Sequence, residues 1–176
     1  MLDKLDRGLN ALERLLYLGA AIAMALMMVS ITSDALGRYF FDAPIKGVYE
    51  VNEMYLLTAT VYLSIARAQR MNEHISVQTV YQVMPGWGQK ATRLTWRPAA
   101  AVVFAAIAYK TGDMALDQFM RGNRTSGVVE LPSWIGWFLV SLGSTVMCLR
   151  LVLQVVFDLC GRDPDAGMRY APAGEE

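Results

Sequence analysis

The sequence predicts an all-α membrane protein: four transmembrane helices, amphipathic in-plane connecting helices, and both termini in the cytoplasm. Three observations support that class. Two uncharged runs of 19 residues, Leu15 to Ser33 and Leu131 to Leu149, approach the roughly 20 residues a helix needs to cross a bilayer. The 176-residue chain is 55% hydrophobic and only 18% charged, where soluble domains carry about 25%. Its basic residues are also unevenly divided among the connections, eleven on one side of a four-helix arrangement and five on the other.

The first helix is the run 15–33, preceded by Lys4, Arg7 and Arg14 mixed with Asp3, Asp6 and Glu13. Its apolar run exceeds the roughly 7–15 residues of a signal peptide, and no clean small-x-small site follows, so it reads as a retained helix. The second helix centres on Met54 to Ala66, 13 uncharged residues, and reaches spanning length with Glu50 and Glu53 at its starting interface. The third, Pro98 to Tyr109, has 12 uncharged residues, a length that suits a buried or interfacial helix. It spans if Arg97 and Lys110 snorkel at opposite ends, with Trp96 and Tyr109 as interfacial anchors. The fourth run, 131–149, continues apolar past Arg150 to Phe157.

Positive residues favour the cytoplasm. The eleven lie in the N-terminal segment, the second connection and the tail, with Arg150 counted in the tail. The termini are therefore placed inside. Three spans would leave the tail and its three arginines outside. Residues 1–160 form the membrane domain, and 161–176, rich in Gly and Pro, read as a disordered cytoplasmic tail.

The connections have their own patterns. Val77, Val80, Tyr81 and Met84 make one apolar helical face, which Pro85-Gly86-Trp87-Gly88 breaks. Beyond the break, Lys90, Arg93 and Arg97 lie along one side of a new helix suited to the headgroup plane. In the first connection, Asp34 and Arg38 are spaced to pair one helical turn apart, as are Lys46 and Glu50. Glu50 and Glu53 share a face where hydrocarbon begins, so each snorkels to water or meets a partner cation. Lys110, Asp113, Asp117 and Arg121 form a ladder on a helix that outlasts the third span, and Pro132 sits near the first turn of the last helix. Small residues recur at Gly19 and Ala23, and at Ala101, Ala105, Ala108 and Gly112. This spacing permits close helix approach, chiefly within the chain.

Much chemistry is excluded. Sixteen basic and sixteen acidic residues cancel, so no positive field draws nucleic acid. Two cysteines and the single His74 cannot complete a four-ligand zinc site or a bis-histidine haem. Cys148 and Cys160, twelve residues apart on one helix, cannot bridge each other. No phosphate-binding loop and no nucleophile–base pair occur, so an enzyme is not expected.

An ordered set of residues resembles a known family. It comprises Arg38-Tyr39-Phe40, then Pro44-Ile45-x-Gly47-x-x-Glu50-x-x-Glu53, then Ala66-x-Ala68-Gln69-Arg70-x-x-x-His74-Ile75-x-Val77, and later Thr125 to Leu131-Pro132-x-Trp134. Over roughly residues 5–160 the chain resembles the small permease (Q) subunit of tripartite ATP-independent periplasmic (TRAP) transporters. Gln78 stands where the family pattern has an acidic residue. The resemblance implies a bacterial inner-membrane scaffold with no cofactor of its own. It would pair with a large permease subunit that holds the substrate and sodium sites. A periplasmic binding protein would deliver an organic anion, typically a carboxylate. Arg38, Glu50, Glu53 and His74 are then candidate contacts to partners, with Pro132 and Trp134 facing the binding protein. Two other classes compete. A self-sufficient proton-coupled exporter would want a carboxylate well inside the membrane, whereas Glu50 and Glu53 sit at an edge, and the solitary histidine argues against a haem-holding membrane anchor.

Overall fold

The computed structural model describes residues 2–70, 86–125, 127 and 129–159. Helix α1, Leu2–Phe41, is a 40-residue run of Ala, Leu and Met-rich sequence with no internal proline. It stops at Asp42, whose φ of 52° turns the chain into the left-handed region. The Ala43 N–H then closes back on the Gly37 carbonyl at 3.4 Å, and Pro44 prevents resumption.

Gly47 starts the next helix with a φ of 86°, and Val129 lies so close that a side chain there would overlap it. Helix α2, Val48–Val51, runs without a break into a π-helical segment, Asn52–Leu57, and then α3, Thr58–Arg70. The backbone stays right-handed helical at both junctions. Asn52 marks the irregular turn. Its buried amide donates to the Val48 carbonyl at 2.7 Å and accepts from the Ser30 hydroxyl at 2.8 Å, tying this turn to α1. A side chain inserted beside the backbone ladder is a recognised cause of such bulges.

Helix α4, Gly86–Arg121, is one helix of 36 residues with Pro98 inside it. The separate in-plane helix expected after Pro85-Gly86 is thus absent from its second half: residues 86–97 lead straight into the third apolar run. Proline removes one backbone donor without ending the helix, as membrane helices tolerate. The expected apolar helix at 77–84 lies outside the described residues, as do Cys160 and the tail. Helix α4 ends in a left-handed Gly122 (φ 62°), with Gly122 N–H on the Phe119 carbonyl and Asn123 N–H on the Gln118 carbonyl, both at 3.2 Å. That pair of bonds is a Schellman stop. The loop folds back through Thr125 N–H to Leu131 O at 2.9 Å before α5, Trp134–Leu159.

Three helices, Leu5–Phe41, Thr95–Arg121 and Trp134–Asp158, contain stretches long and apolar enough to cross a membrane. The α2–α3 helix is the fourth element beside them. Packing joins α1 to α3, α3 to α5, and α5 to α4, so the helices stand in a row with α1 and α4 at its edges. Two clusters of small and apolar residues hold the row. Ala20 and Ala23 meet Ala59 and Leu63, while Ala66 and Ala101 surround Val146, Met147 and Leu151. In lipid the solvent is as apolar as the core, so close contact rather than water exclusion favours association. Gly143 provides the closest approach, lying against the Tyr62 backbone, and Gly136 meets the Met54 carbonyl. Gly19, Ala101, Ala108 and Gly112 also face neighbouring helices as expected, whereas Ala105 is exposed.

Gly143→Ala should therefore lower the thermal midpoint of the detergent-purified chain, at an overpacking cost of about 1–3 kcal/mol or more. Gly8, with nothing within 4 Å of a Cβ, should accept alanine with no loss. Equal midpoints for both variants would contradict the close approach.

Candidate functional site

Each end of the helix row carries a polar cluster. At the end that holds the chain's N-terminal segment, Arg150 of α5 reaches across to α1. Its Nε and Nη2 donate to the two carboxylate oxygens of Glu13 at 2.6 and 2.7 Å, and Nη1 donates to Asp6 at 2.7 Å. Glu13 is fully buried, and the Arg150 side chain is 4% exposed. The two-pronged geometry is the one that best offsets the desolvation of both charges. Beside it, Gln69 of α3 donates to Gln154 of α5 at 3.3 Å. Arg97 of α4 meets Asp158 of α5 at 2.5 Å, with its side chain 3% exposed.

Two expectations are corrected here. Arg150, counted with the tail for its charge, lies buried within α5, where Glu13 and Asp6 supply its counter-charge. Arg97, expected to reach outward from the start of the third run, instead turns against α5 and pairs with Asp158. Sequence reasoning did not find this cluster. The signal was a lone arginine within a long apolar run, opposite a lone glutamate bordering another.

At the other end the loops fold onto the helices. Asp34 pairs with Arg38 at 2.6 Å, as its spacing predicts, and also accepts the Ile45 N–H at 2.8 Å, which fixes the first connection. The Tyr55 hydroxyl donates to the Pro132 carbonyl at 2.8 Å. The Thr125 hydroxyl lies 3.2 Å from the Met54 sulfur, and 3.3 Å from both the Leu131 carbonyl and Ser133 Oγ. The loop 122–133 thereby covers the start of the α2–α3 helix.

The predicted contact residues are distributed rather than gathered. Arg38 keeps an exposed side chain (62%) while bound to Asp34. Glu50 is half-buried beside Gly127, whereas Glu53 is exposed, so the loop separates two carboxylates that spacing alone would treat alike. Pro132 is held by Tyr55, and Trp134 stacks edge-on with Phe119 at 5.3 Å between ring centres. His74 lies outside the described residues. Asp117 and Arg121 pair at 2.7 Å, which realises one step of the expected ladder. Among the described residues no group of three or more His, Cys, Asp or Glu is arranged to hold a metal ion.

The family model described as "Tripartite ATP-independent periplasmic transporters, DctQ component" matches residues 27–161. The ectoine TRAP transporter small permease protein TeaB of Halomonas elongata is 22% identical over 163 residues, covering 93% of this chain and 82% of TeaB. No solved structure matches the chain.

Removing one partner of the Arg150 cluster should be severe. Glu13→Ala would leave a buried guanidinium with only Asp6, at a cost of about 3–5 kcal/mol. The double variant Glu13→Leu/Arg150→Leu should recover much of that loss, measured as folded, monodisperse yield and thermal midpoint in detergent. A double variant no better than the single one would show that shape, not charge, matters at this end.

Proposed function

Since the chain belongs to the DctQ component family of TRAP transporters, we propose that it is the non-catalytic scaffold subunit of a sodium-coupled transporter that takes up an organic anion. The large permease subunit binds the solute and sodium and performs the alternating movement, while a periplasmic binding protein delivers the solute. The small subunit enlarges the stationary part against which that movement works. All four helices cross the bacterial inner membrane, with both termini cytoplasmic.

The cluster of buried ion pairs is the observation that carries this reading. The charges inside the helix row are neutralised by one another: Arg150 by Glu13 and Asp6, and Arg97 by Asp158. Such pairs stiffen helix contacts, whereas a transport site needs polar groups that exchange partners during the cycle. The folded-back loop 122–133 supports the same role, since it restrains the opposite end. In the four-span arrangement the α2–α3 helix, residues 48–70, measures about 34 Å at 1.5 Å per residue, enough for a hydrocarbon layer of about 30 Å. The ectoine transporter named for TeaB does not fix the solute here, because the recognising groups would belong to the other two chains.

Reconstitution tests this directly. Liposomes holding both membrane subunits, with the binding protein outside, should accumulate a carboxylate solute only under an inward sodium gradient. This chain alone should move none. Transport by the isolated chain would refute the scaffold role. Reporter fusions at both termini should read cytoplasmic, and a periplasmic C-terminus would refute four spans.

A further inference from the structure

The two edges of the helix row differ in a way that identifies the face covered by another chain. The outer side of α1 presents Leu15, Leu18, Ile22, Leu26 and Val29, all exposed and uncharged, which acyl chains can cover. The outer side of α4 is different. Opposite its buried Ala101 and Ala115 runs the exposed stripe Val103, Ala106, Lys110, Asp113, Asp117. These residues recur every three or four positions and so share one helical face.

Their position along the helix can be read from contacts to α5. The Ser141 hydroxyl donates to the Ala108 carbonyl at 3.1 Å, and its oxygen lies 3.1 Å from where a Cβ on Gly112 would stand. Those two contacts bracket Lys110. Ser141 lies seven residues beyond Trp134, where α5 begins, about 10 Å along the helix axis. Phe119 against Trp134 marks the level of that start. Lys110 and Asp113 therefore lie inside the span-length apolar helix Thr95–Arg121, on the side turned away from α5. Among the described residues neither has a hydrogen-bond or ion-pair partner. The ladder expected at this position closes only between Asp117 and Arg121.

Lipid tails cannot satisfy an ammonium and a carboxylate within such a span, and intramembrane charges almost always face protein or a water-filled cavity. Resting on the scaffold reading above, we infer that the Lys110–Asp113 face of α4 is the docking surface for the large permease subunit. That subunit presents an acidic group to Lys110 and a basic or hydrogen-bond-donating group to Asp113. Val103 and Ala106 let its helix approach closely along the other half of the stripe. The α1 edge remains in contact with lipid.

Photo-crosslinking in the assembled complex tests the assignment. A benzophenone amino acid at Ala106, Lys110 or Asp113 should yield an adduct that mass spectrometry identifies as small plus large subunit, while the same probe at Leu18 or Ile22 should yield none. Lys110→Glu should lower the large subunit co-purified with the tagged chain at least about tenfold, because a like charge would then face the partner's acidic group. Arg14→Glu, an exposed charge on α1 away from this face, should leave co-purification unchanged. Adducts from α1 positions but not from α4, adducts to a second copy of this chain, or lipid adducts alone would overturn the inference and leave the scaffold reading intact. If the unmodified chain fails to co-purify with the large subunit, the scaffold reading falls as well.

Discussion

Arg150 has to be neutralised, and much of the architecture follows from that. A guanidinium held inside a helix row in an apolar solvent is unstable without a counter-charge. Glu13 and Asp6 supply it from a helix that otherwise makes little contact with α5. The ion pair therefore sets the relative height of the first and last helices. One turn further along α5 the Gln69–Gln154 bond reaches α3, and one turn beyond that Arg97–Asp158 reaches α4. All four elements of the row are thus tied together along the last three turns of α5, over about 12 Å. At the opposite end the restraints are neutral or partly exposed: Asn52 with Ser30, Tyr55 with the Pro132 carbonyl, and Asp34 with the backbone of the first connection.

Between these ends the helices are held by contact rather than by polar bonds. Gly143 on Tyr62 and Ser141 on Gly112 bring α5 against both of its neighbours, so the last helix to be made is the centre of the packing. Its position explains why so many of its residues are small or polar while its mean composition stays apolar. The π turn at Asn52–Leu57 serves the same fit. One extra residue in that turn shifts the register of the second helix and lets Asn52 turn inward to Ser30 while Tyr55 reaches the loop.

Local spacing was enough to read part of this from the residues alone. Asp34 with Arg38 and Asp117 with Arg121 follow from helical geometry, and the two 19-residue runs follow from bilayer thickness. The order of the row was not legible, because an apolar stripe in lipid carries no instruction about which helix it meets. The pairing of residues 13 and 150 depends on that order and was therefore hidden as well. Lys90 to Arg97 and the apolar run from Pro98 read as separate elements, whereas one helix, Gly86–Arg121, carries both. A proline costs a single donor, and 36 residues of otherwise favourable sequence outweigh it. Of the candidate site, positions were readable and environments were not. The loop at Gly127 distinguishes Glu50 from Glu53, and nothing in their spacing foretold it.

The separation of Glu13 from Arg150 also bears on how the protein is made. The two residues lie 137 positions apart, so the first helix enters the bilayer long before the ribosome has completed the last. Until then Glu13 lacks its two-pronged partner, and the guanidinium already at hand is Arg70 of α3, which interacts electrostatically with both Glu13 and Asp6. Arrival of α5 supplies that partner. The polar contact between the first and last helices is therefore completed only when α5 is in place.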